Sequence, residues 1–335
     1  MKHWGKALFG VAVTVFLLWW VLRNENPSEI WTNIMQGDFV LLFAAVSVAT
    51  FGFFIRALRW KVLLARVNPD TRLGSRFAAV SIGFMGNNVL PLRAGEFMRP
   101  YALSRLEPVT VSGAFGSLVV ERFLDGIVLL LFLVVPVVLP GSPAADAFSG
   151  ERGGLLLRGG LVTVALVLFA LVCMAVLPRQ FVNFVEWFAR FLPKKISVPL
   201  VESLASFLDS LAIMRDPRLL GLGLAWTLFF WTWQASSFWL GMLAFGIDTG
   251  FVSAIFVTAA VGWGVALPSA PGFFGTFHYA ASFALIAVYG VSADQSLAFA
   301  FGYHFGGWLP ITLIGFYYAW KMGLSLGEVR TAKAS

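Results

Sequence analysis

Apolar runs long enough to cross a bilayer as helices, about 20 residues each, recur along this chain of 335 residues. Only 12% of its residues are charged and its mean hydropathy is +0.82, whereas a soluble domain carries about 25% charged residues. The sequence therefore predicts an all-α polytopic membrane protein, folded as a single integral membrane domain.

The hydropathy pattern predicts about six full spanning helices and two broken segments. The full helices are expected at about 6–22, 38–57, 110–138, 155–177, 218–245 and 296–320. The broken segments are about 77–105, which contains NNVLPLRAGEFMRP, and about 251–290, which contains LPSAPG. A further stretch, about 178–217, mixes aromatic and charged residues at helical spacing. That pattern indicates either helices lying in the membrane interface or a cytoplasmic amphipathic hairpin packed on the bundle.

Lysine and arginine predict the orientation, because cytoplasmic loops are enriched in both. With both termini inside, nearly all of these residues are cytoplasmic, and only Arg23, Arg152 and Arg158 lie outside. This arrangement requires segment 77–105 to be a re-entrant hairpin and segment 251–290 to begin and end outside. The expected location is the plasma membrane, which is the inner membrane in bacteria. The same bias accounts for the pI of about 9.8 without a nucleic-acid partner.

The two broken segments share a pattern. The stretches from Leu90 to Phe97 and from Leu267 to Phe274 both read L-P-x-x-x-G-x-F. With one spanning helix before and one after each break, they predict inverted halves at about 38–138 and 218–320, although chance identity is the competing explanation. Inverted repeats with broken helices are typical of secondary transporters, and such breaks must be buried or line a wet cavity. The residues assigned to the breaks are Pro91, Gly95, Pro268, Pro271 and Gly272.

Polar side chains surround the first break. They are Asn87, Asn88, Arg93, Glu96 and Arg99. The three charged residues lie three apart and would share one face of a helix. Pro91 suits a helix start, and the positive end of a half-helix beginning there attracts anions. The set predicts either a lipid head-group site or an internal salt-bridge network.

A second charged group interrupts the apolar run 110–138. It comprises Glu121, Arg122 and Asp125, with the two carboxylates four residues apart on one helical face. A charge at the bilayer centre costs about 2.5–3.5 kcal/mol, so these groups need partners, and an arginine of the first break is the expected one. The alternatives are a substrate or proton-coupling role and a structural tie to the hairpin.

Other chemistry is sparse in the sequence. His278 and His304 lie among aromatic residues and suit either hydrogen-bonded packing or a proton relay. The sequence has no H-E-x-x-H, cysteine pair, G-x-S-x-G or Walker motif. We therefore predict no enzyme activity, no metal and no cofactor.

Three stretches resemble one family. N-N-x-L-P-x-R-x-G-E from Asn87 to Glu96, E-R-x-x-D from Glu121 to Asp125 and L-P-x-x-P-G-x-x-G from Leu267 to Gly275 resemble the lysylphosphatidylglycerol synthase transmembrane-region family, also called flippase-like or UPF0104. In bifunctional members this region precedes an aminoacyltransferase domain and moves the aminoacylated lipid between leaflets. The resemblance implies a stand-alone member here. Many members have a glutamate where this chain has His278, which puts that position's role in proton coupling in doubt.

The resemblance implies motif roles for nine positions, which are Asn87, Asn88, Pro91, Arg93, Gly95, Glu96, Glu121, Arg122 and Asp125. We predict a flippase that moves an anionic or glycosylated lipid, such as an aminoacylated or polyprenyl-linked one. Its partners would be that lipid, the bilayer and a separate lipid-modifying enzyme. The first alternative is a membrane scaffold for a lipid-synthesis enzyme. The second is an intramembrane lipid-linked transferase with Glu121 or Asp125 as base.

Overall fold

The computed structural model describes residues 26–151, 216–266 and 270–324, with scattered positions within 15–23 and 153–169. All regular structure in these ranges is helical, which confirms the predicted all-α class. The helices are α1 (Pro27–Met35), α2 (Phe39–Leu63), α3 (Leu73–Val89), α4 (Gly95–Leu106), α5 (Val111–Val138), α6 (Pro143–Phe148), α7 (Pro217–Ala244), α8 (Phe251–Gly264), α9 (Thr276–Phe283) and α10 (Ala293–Lys321). Most of the predicted helices 6–22 and 155–177, and nearly all of segment 178–217, lie outside the described residues.

Several of these helices are suited to a bilayer. Three helical stretches are long and apolar enough to cross it, namely Phe39–Leu63, Pro271–Val288 and Ala293–Lys321. Helices α5 and α7 have 28 residues each and are about 42 Å long at 1.5 Å per residue. Large apolar side chains face outward, among them Phe43 at 73% exposure and Trp320 at 79%. Such surfaces require an apolar surrounding.

Helix α2 is longer than the sequence predicted. It begins at Phe39, directly after Asp38, whose carboxylate accepts from the free N–H groups of Val40 and Leu41. It continues to Leu63, beyond the expected end at residue 57. As a result Arg56 and Arg59, which the charge distribution counted among the cytoplasmic residues, are helical and buried.

Helices α3 and α4 form the first hairpin, joined by a 3-10 turn at Pro91–Arg93. Its two ends meet, since Arg72 Nε lies 2.9 Å from Glu107 Oε1. The segment therefore enters the bundle and returns to the same end, as a re-entrant hairpin must. The two arms touch at Gly95, where a Cβ would lie 1.8 Å from the carbonyl oxygen of Gly83. Only glycine permits this approach.

The second hairpin has the same design. Helix α8 leads to a 3-10 turn at Pro271–Phe273, and the return arm is α9 followed by a π-helical turn at Ala284–Val288. The rings of Phe256 and Tyr289, on the outgoing and returning arms, are 5.9 Å apart. Both broken segments thus fold back on themselves.

The correspondence between the two turns differs from the predicted one. The first turn begins at Pro91 and the second at Pro271, not at Pro268, which lies outside the described residues. The third residue of each turn has positive φ, 52° at Arg93 and 60° at Phe273. The structurally matched stretches therefore begin at Pro91 and Pro271, and both read P-x-x-x-G-x-F.

The corresponding helices α2 and α7 run antiparallel. At one end Ser237 Oγ donates to the carbonyl oxygen of Ala45 at 2.7 Å, and at the other Arg66 Nη2 lies 2.5 Å from Asp216 Oδ2. Ser237 also forms a hydrogen bond of 2.7 Å with the Tyr303 hydroxyl of α10. Helix α10 packs on α3, and reciprocally α8 packs on α5. This is the pairing that two inverted halves predict.

Candidate functional site

Glu121 is the centre of a buried charge cluster. Its carboxylate is fully buried and lies close to four guanidinium groups. Oε1 lies 2.5 Å from Arg56 Nη1, 3.0 Å from Arg59 Nη2 and 2.7 Å from Arg122 Nη2. Arg99 binds both oxygens, each at 2.9 Å. The partner expected from the first break is therefore Arg99, and helices α2, α4 and α5 are joined through one carboxylate.

Asp125 lies one turn further along α5 and extends the cluster. Its Oδ1 accepts from Arg59 Nη1 at 2.6 Å and from Trp231 Nε1 at 2.9 Å. Its Oδ2 lies 3.7 Å from Arg56 and 3.6 Å from Arg122. Arg59 also donates to Thr227 Oγ1 at 3.2 Å, so helix α7 joins the cluster through neutral side chains.

The charges of this cluster do not balance. Within ion-pair distance four guanidinium groups face two carboxylates, which leaves two positive charges in excess at that distance, and Glu96 acts on Arg122 from farther away. Aromatic rings stabilise some of this charge: Arg99 lies 3.9 Å from the Trp60 ring centroid and Arg56 4.3 Å from that of Phe230. The side chain of Arg122 is 44% exposed. The cluster thus has one accessible cation, and its arginines outnumber the carboxylates that they contact.

Arg93, Glu96 and Arg99 do not share a face, contrary to the sequence prediction. Arg93 lies in the turn with positive φ, and its guanidinium is 5.4 Å from the ring centroid of Phe273 in the other turn. Glu96 Oε1 accepts from Asn87 Nδ2 at 3.4 Å. Arg99 alone reaches Glu121. The positive φ before the helix separates the first side chain from the other two.

The first break contains both structural ties and unpaired polar atoms. Asn88 Nδ2 donates to Thr312 Oγ1 at 2.8 Å and to the Trp308 carbonyl oxygen at 3.4 Å, which ties the hairpin to α10. By contrast, Asn87 Oδ1 and Arg93 Nε are buried without a hydrogen-bond partner within the described residues. Helix α4 begins at Gly95, not at Pro91 as expected, and has no side-chain cap. Its free N–H groups therefore point to the tip where the two hairpins meet.

The histidines belong to an aromatic cluster at the second break. The His278 side chain accepts at Nδ1 from the Gly275 N–H at 3.3 Å. His304 stacks on Phe277 with centroids 4.2 Å apart, and the two imidazole rings are 5.0 Å apart. Gly272 packs beside them with a positive φ of 72°. Both rings pack against aromatic neighbours, but His278 Nε2 and His304 Nδ1 have no hydrogen-bond partner within the described residues. A proton-coupling role for His278 with Glu121 or Asp125 stays a prediction.

Half of the cluster's cations were not predicted from the sequence as site residues. Arg56 and Arg59 are three apart in FIRALRW, and reading that stretch as helical would have placed them on one face. Thr227 and Trp231 lie in an apolar helix, and the sequence around them does not indicate that they contact charged groups. Within the residues that the structure describes, no group of three histidine, cysteine or acidic side chains is positioned to hold a metal ion.

Comparison with known proteins gives a broad match and several local ones. The family model described as "Lysylphosphatidylglycerol synthase TM region" matches residues 7–315. The chain is 28% identical over 140 residues to the glycosyltransferase AglD of Haloferax volcanii, an alignment covering 42% of this chain and 22% of that protein. It is 26% identical over 139 residues to a UPF0104 membrane protein of Methanothermobacter thermautotrophicus, covering 40% of this chain and 41% of the relative.

A third relative is a UPF0104 membrane protein of Methanocaldococcus jannaschii, 31% identical over 114 residues, or 33% of this chain and 30% of the relative. The chain thus spans less than half the length of each of these relatives. No solved structure matches it.

Proposed function

The chain belongs to the lysylphosphatidylglycerol synthase transmembrane-region family, and from that premise we propose that it moves an anionic lipid between the leaflets of a bacterial plasma membrane. The single observation that carries this proposal is the buried cluster with two excess positive charges. Each uncompensated charge near the bilayer centre costs about 2.5–3.5 kcal/mol. An anionic head group would supply the missing negative charge.

Arginine suits a phosphate ligand. Its planar fork matches two phosphate oxygens at once. Arg122 is the cluster's most accessible cation, with 44% of its side chain exposed, and it contacts both carboxylates at 2.7 and 3.6 Å. Half-buried Arg93 lies at the nearby tip. An entering phosphate would meet Arg122 first and displace it partly from Glu121, leaving the bidentate Arg99 pair to hold the helices together.

The fold offers a route for the lipid tails. An apolar cavity of about 520 Å³ opens between α2, α3 and α10, lined by Phe43, Val46, Phe51, Phe54, Phe77 and Pro310. Such a cavity suits an acyl chain. With the head group in the polar interior and the tails along this wall, rocking of the inverted halves would expose the site to one leaflet and then the other. Since the sequence has no Walker motif, movement would be downhill or ion-coupled.

A proteoliposome assay tests the proposal. Wild type and Arg122→Gln are reconstituted with fluorescent phosphatidylglycerol or phosphatidylcholine, and dithionite quenching measures the lipid moved between leaflets. We expect faster exchange of the anionic lipid and about tenfold slower exchange in Arg122→Gln. The matched control is Arg218→Gln, which removes an exposed arginine from the start of α7. Exchange no faster than in protein-free vesicles would refute the proposal and favour the scaffold alternative.

The transferase alternative draws on the name of the AglD relative. The structure gives Glu121 little support as the base, because both of its oxygens already accept from arginines. Asp125 Oδ2 makes no hydrogen bond within the described residues but lies 3.7 Å from Arg56 and 3.6 Å from Arg122. A base needs a free lone pair directed at the substrate. Mass spectrometry of the lipids recovered from the vesicles decides the matter, since a transferase changes their mass and a flippase does not.

A further inference from the structure

A cationic cavity lies at the end of the bundle where the first hairpin opens. Its volume is about 600 Å³, and its lining includes Arg72, Gly74, Ser75, Arg105, Tyr318 and Lys321. Both halves contribute, since α3 and α4 belong to the first and α10 to the second. Phe77 and Tyr318, 5.9 Å apart, mark the contact between α3 and α10 at this end.

The charges of this cavity are almost all positive. Glu107 is bound by Arg72 at 2.9 Å, while Arg105 and Lys321 have no described acidic partner and are exposed. The described hydrogen bond of the Arg105 side chain goes to the Tyr101 hydroxyl at 3.2 Å. The first turn of α3, with Gly74 and Ser75, adds N–H groups that have no partner within the helix. They lie beside the Glu107 carboxylate, which accepts from the Arg72 N–H at 3.3 Å and from the Ser75 side chain. Two exposed cations that line the same cavity as a helix N-terminus suit the binding of a phosphate group.

The surroundings indicate where the phosphate comes from. On the last turns of α10, Tyr317 is 52% exposed and Trp320 79% exposed. Tyrosine and tryptophan on an outer surface mark the level of the lipid head groups. The cavity wall also includes apolar Leu106 and Met322. A phosphate at this level, flanked by apolar surface, matches a phospholipid better than a free ion.

We propose that this cavity is a second anion site, which binds the phosphate of an anionic phospholipid at the membrane surface, apart from the buried cluster. Arg105 follows Arg99 by six residues on α4, which is about 9 Å along the axis. The head group would therefore bind first at the surface and then about 9 Å deeper along the axis of α4. Retention at the surface does not require transport, so this inference stands independently of the proposed function.

Native mass spectrometry of the full-length protein counts the bound lipids. The probe is dioctanoyl phosphatidic acid, with dioctanoyl phosphatidylcholine as the neutral comparison. We expect Arg105→Gln/Lys321→Gln to retain one phosphatidic acid fewer than wild type. The control, Lys61→Gln/Arg218→Gln, removes two exposed cations from the same end of the bundle and should retain the wild-type number. Equal numbers in both double variants would overturn the proposal.

Two further measurements test whether the double variant is folded and whether the ligand is a lipid or free phosphate. Both replaced side chains are exposed, so the melting temperature of the double variant should equal that of wild type. Inorganic phosphate at millimolar concentration should leave the bound lipid in place, and its displacement by phosphate alone would overturn the lipid assignment in favour of a free-phosphate site. Failure of the vesicle assay would count against transport and leave this lipid count unchanged.

Discussion

The buried cluster contains more arginines than carboxylates. Losing a carboxylate should therefore destabilise the fold more than losing an arginine. Glu121→Gln keeps the shape of the side chain and removes the charge that four guanidinium groups face. Removing one partner of a buried ion pair costs about 3–5 kcal/mol, and here the excess of two positive charges would become three. Arg99→Gln reduces the excess to one and leaves Glu121 with three arginines, so we expect a cost nearer about 1.5–3 kcal/mol, that of a hydrogen bond to a charged group.

Thermal unfolding in mild detergent measures this difference. A loss of 3–5 kcal/mol corresponds to a fall in melting temperature on the order of 10 °C. The double variant Glu121→Gln/Arg99→Gln should be more stable than Glu121→Gln alone, because the second change removes a charge that the first left unpaired. If Arg99→Gln lowers the melting temperature more than Glu121→Gln does, the excess of positive charge does not determine the stability of the cluster.

Three other expectations follow from the fold. Gly95→Ala places a methyl group 1.8 Å from a backbone carbonyl oxygen of α3 and should abolish folded protein in detergent extracts, whereas Gly74→Ala, with nothing within 4 Å, should be extracted like wild type. Single cysteines replacing Arg66 and Arg105 should both react with an impermeant thiol reagent from the cytoplasmic side, and labelling from opposite sides would contradict the re-entrant hairpin. Lipid exchange should not vary between pH 5 and 8, where an unperturbed histidine titrates, in either wild type or His278→Gln; a wild-type dependence that the variant loses would give this histidine the proton-coupling role.

Much of the fold could be predicted because it depends on local sequence. Hydropathy located the long helices α2, α5, α7 and α10, and Pro91 with Gly95 marked the first break because a turn there needs a fixed φ and a close approach. The choice between Pro268 and Pro271 in the second break could not be made. It depends on a positive φ at Phe273, which no residue type at that position indicates.

The candidate site was predictable only in part, because its contacts connect distant parts of the chain. Charge balance alone required an arginine near Glu121, and Arg99 is that residue. Arg56 and Arg59 were missed because an arginine near the end of an apolar run looks like the end of the membrane span. Carboxylates more than sixty residues away bind both arginines inside the bundle. The local sequence around the arginines does not indicate these contacts.

The hydrogen bond between Ser237 and Tyr303 has a consequence for energetics. It joins α7 to α10, where the corresponding pair α2 and α5 is joined by ion pairs. Two identical inverted halves would give the inward-open and outward-open states equal free energies. Here one pair of helices is joined by ionic contacts and the corresponding pair by a neutral hydrogen bond. Two states that exchange the conformations of the halves would therefore differ in free energy. For a protein that moves lipid as proposed, the empty form would therefore favour one of the two states, and the charge of a bound ligand would shift that preference.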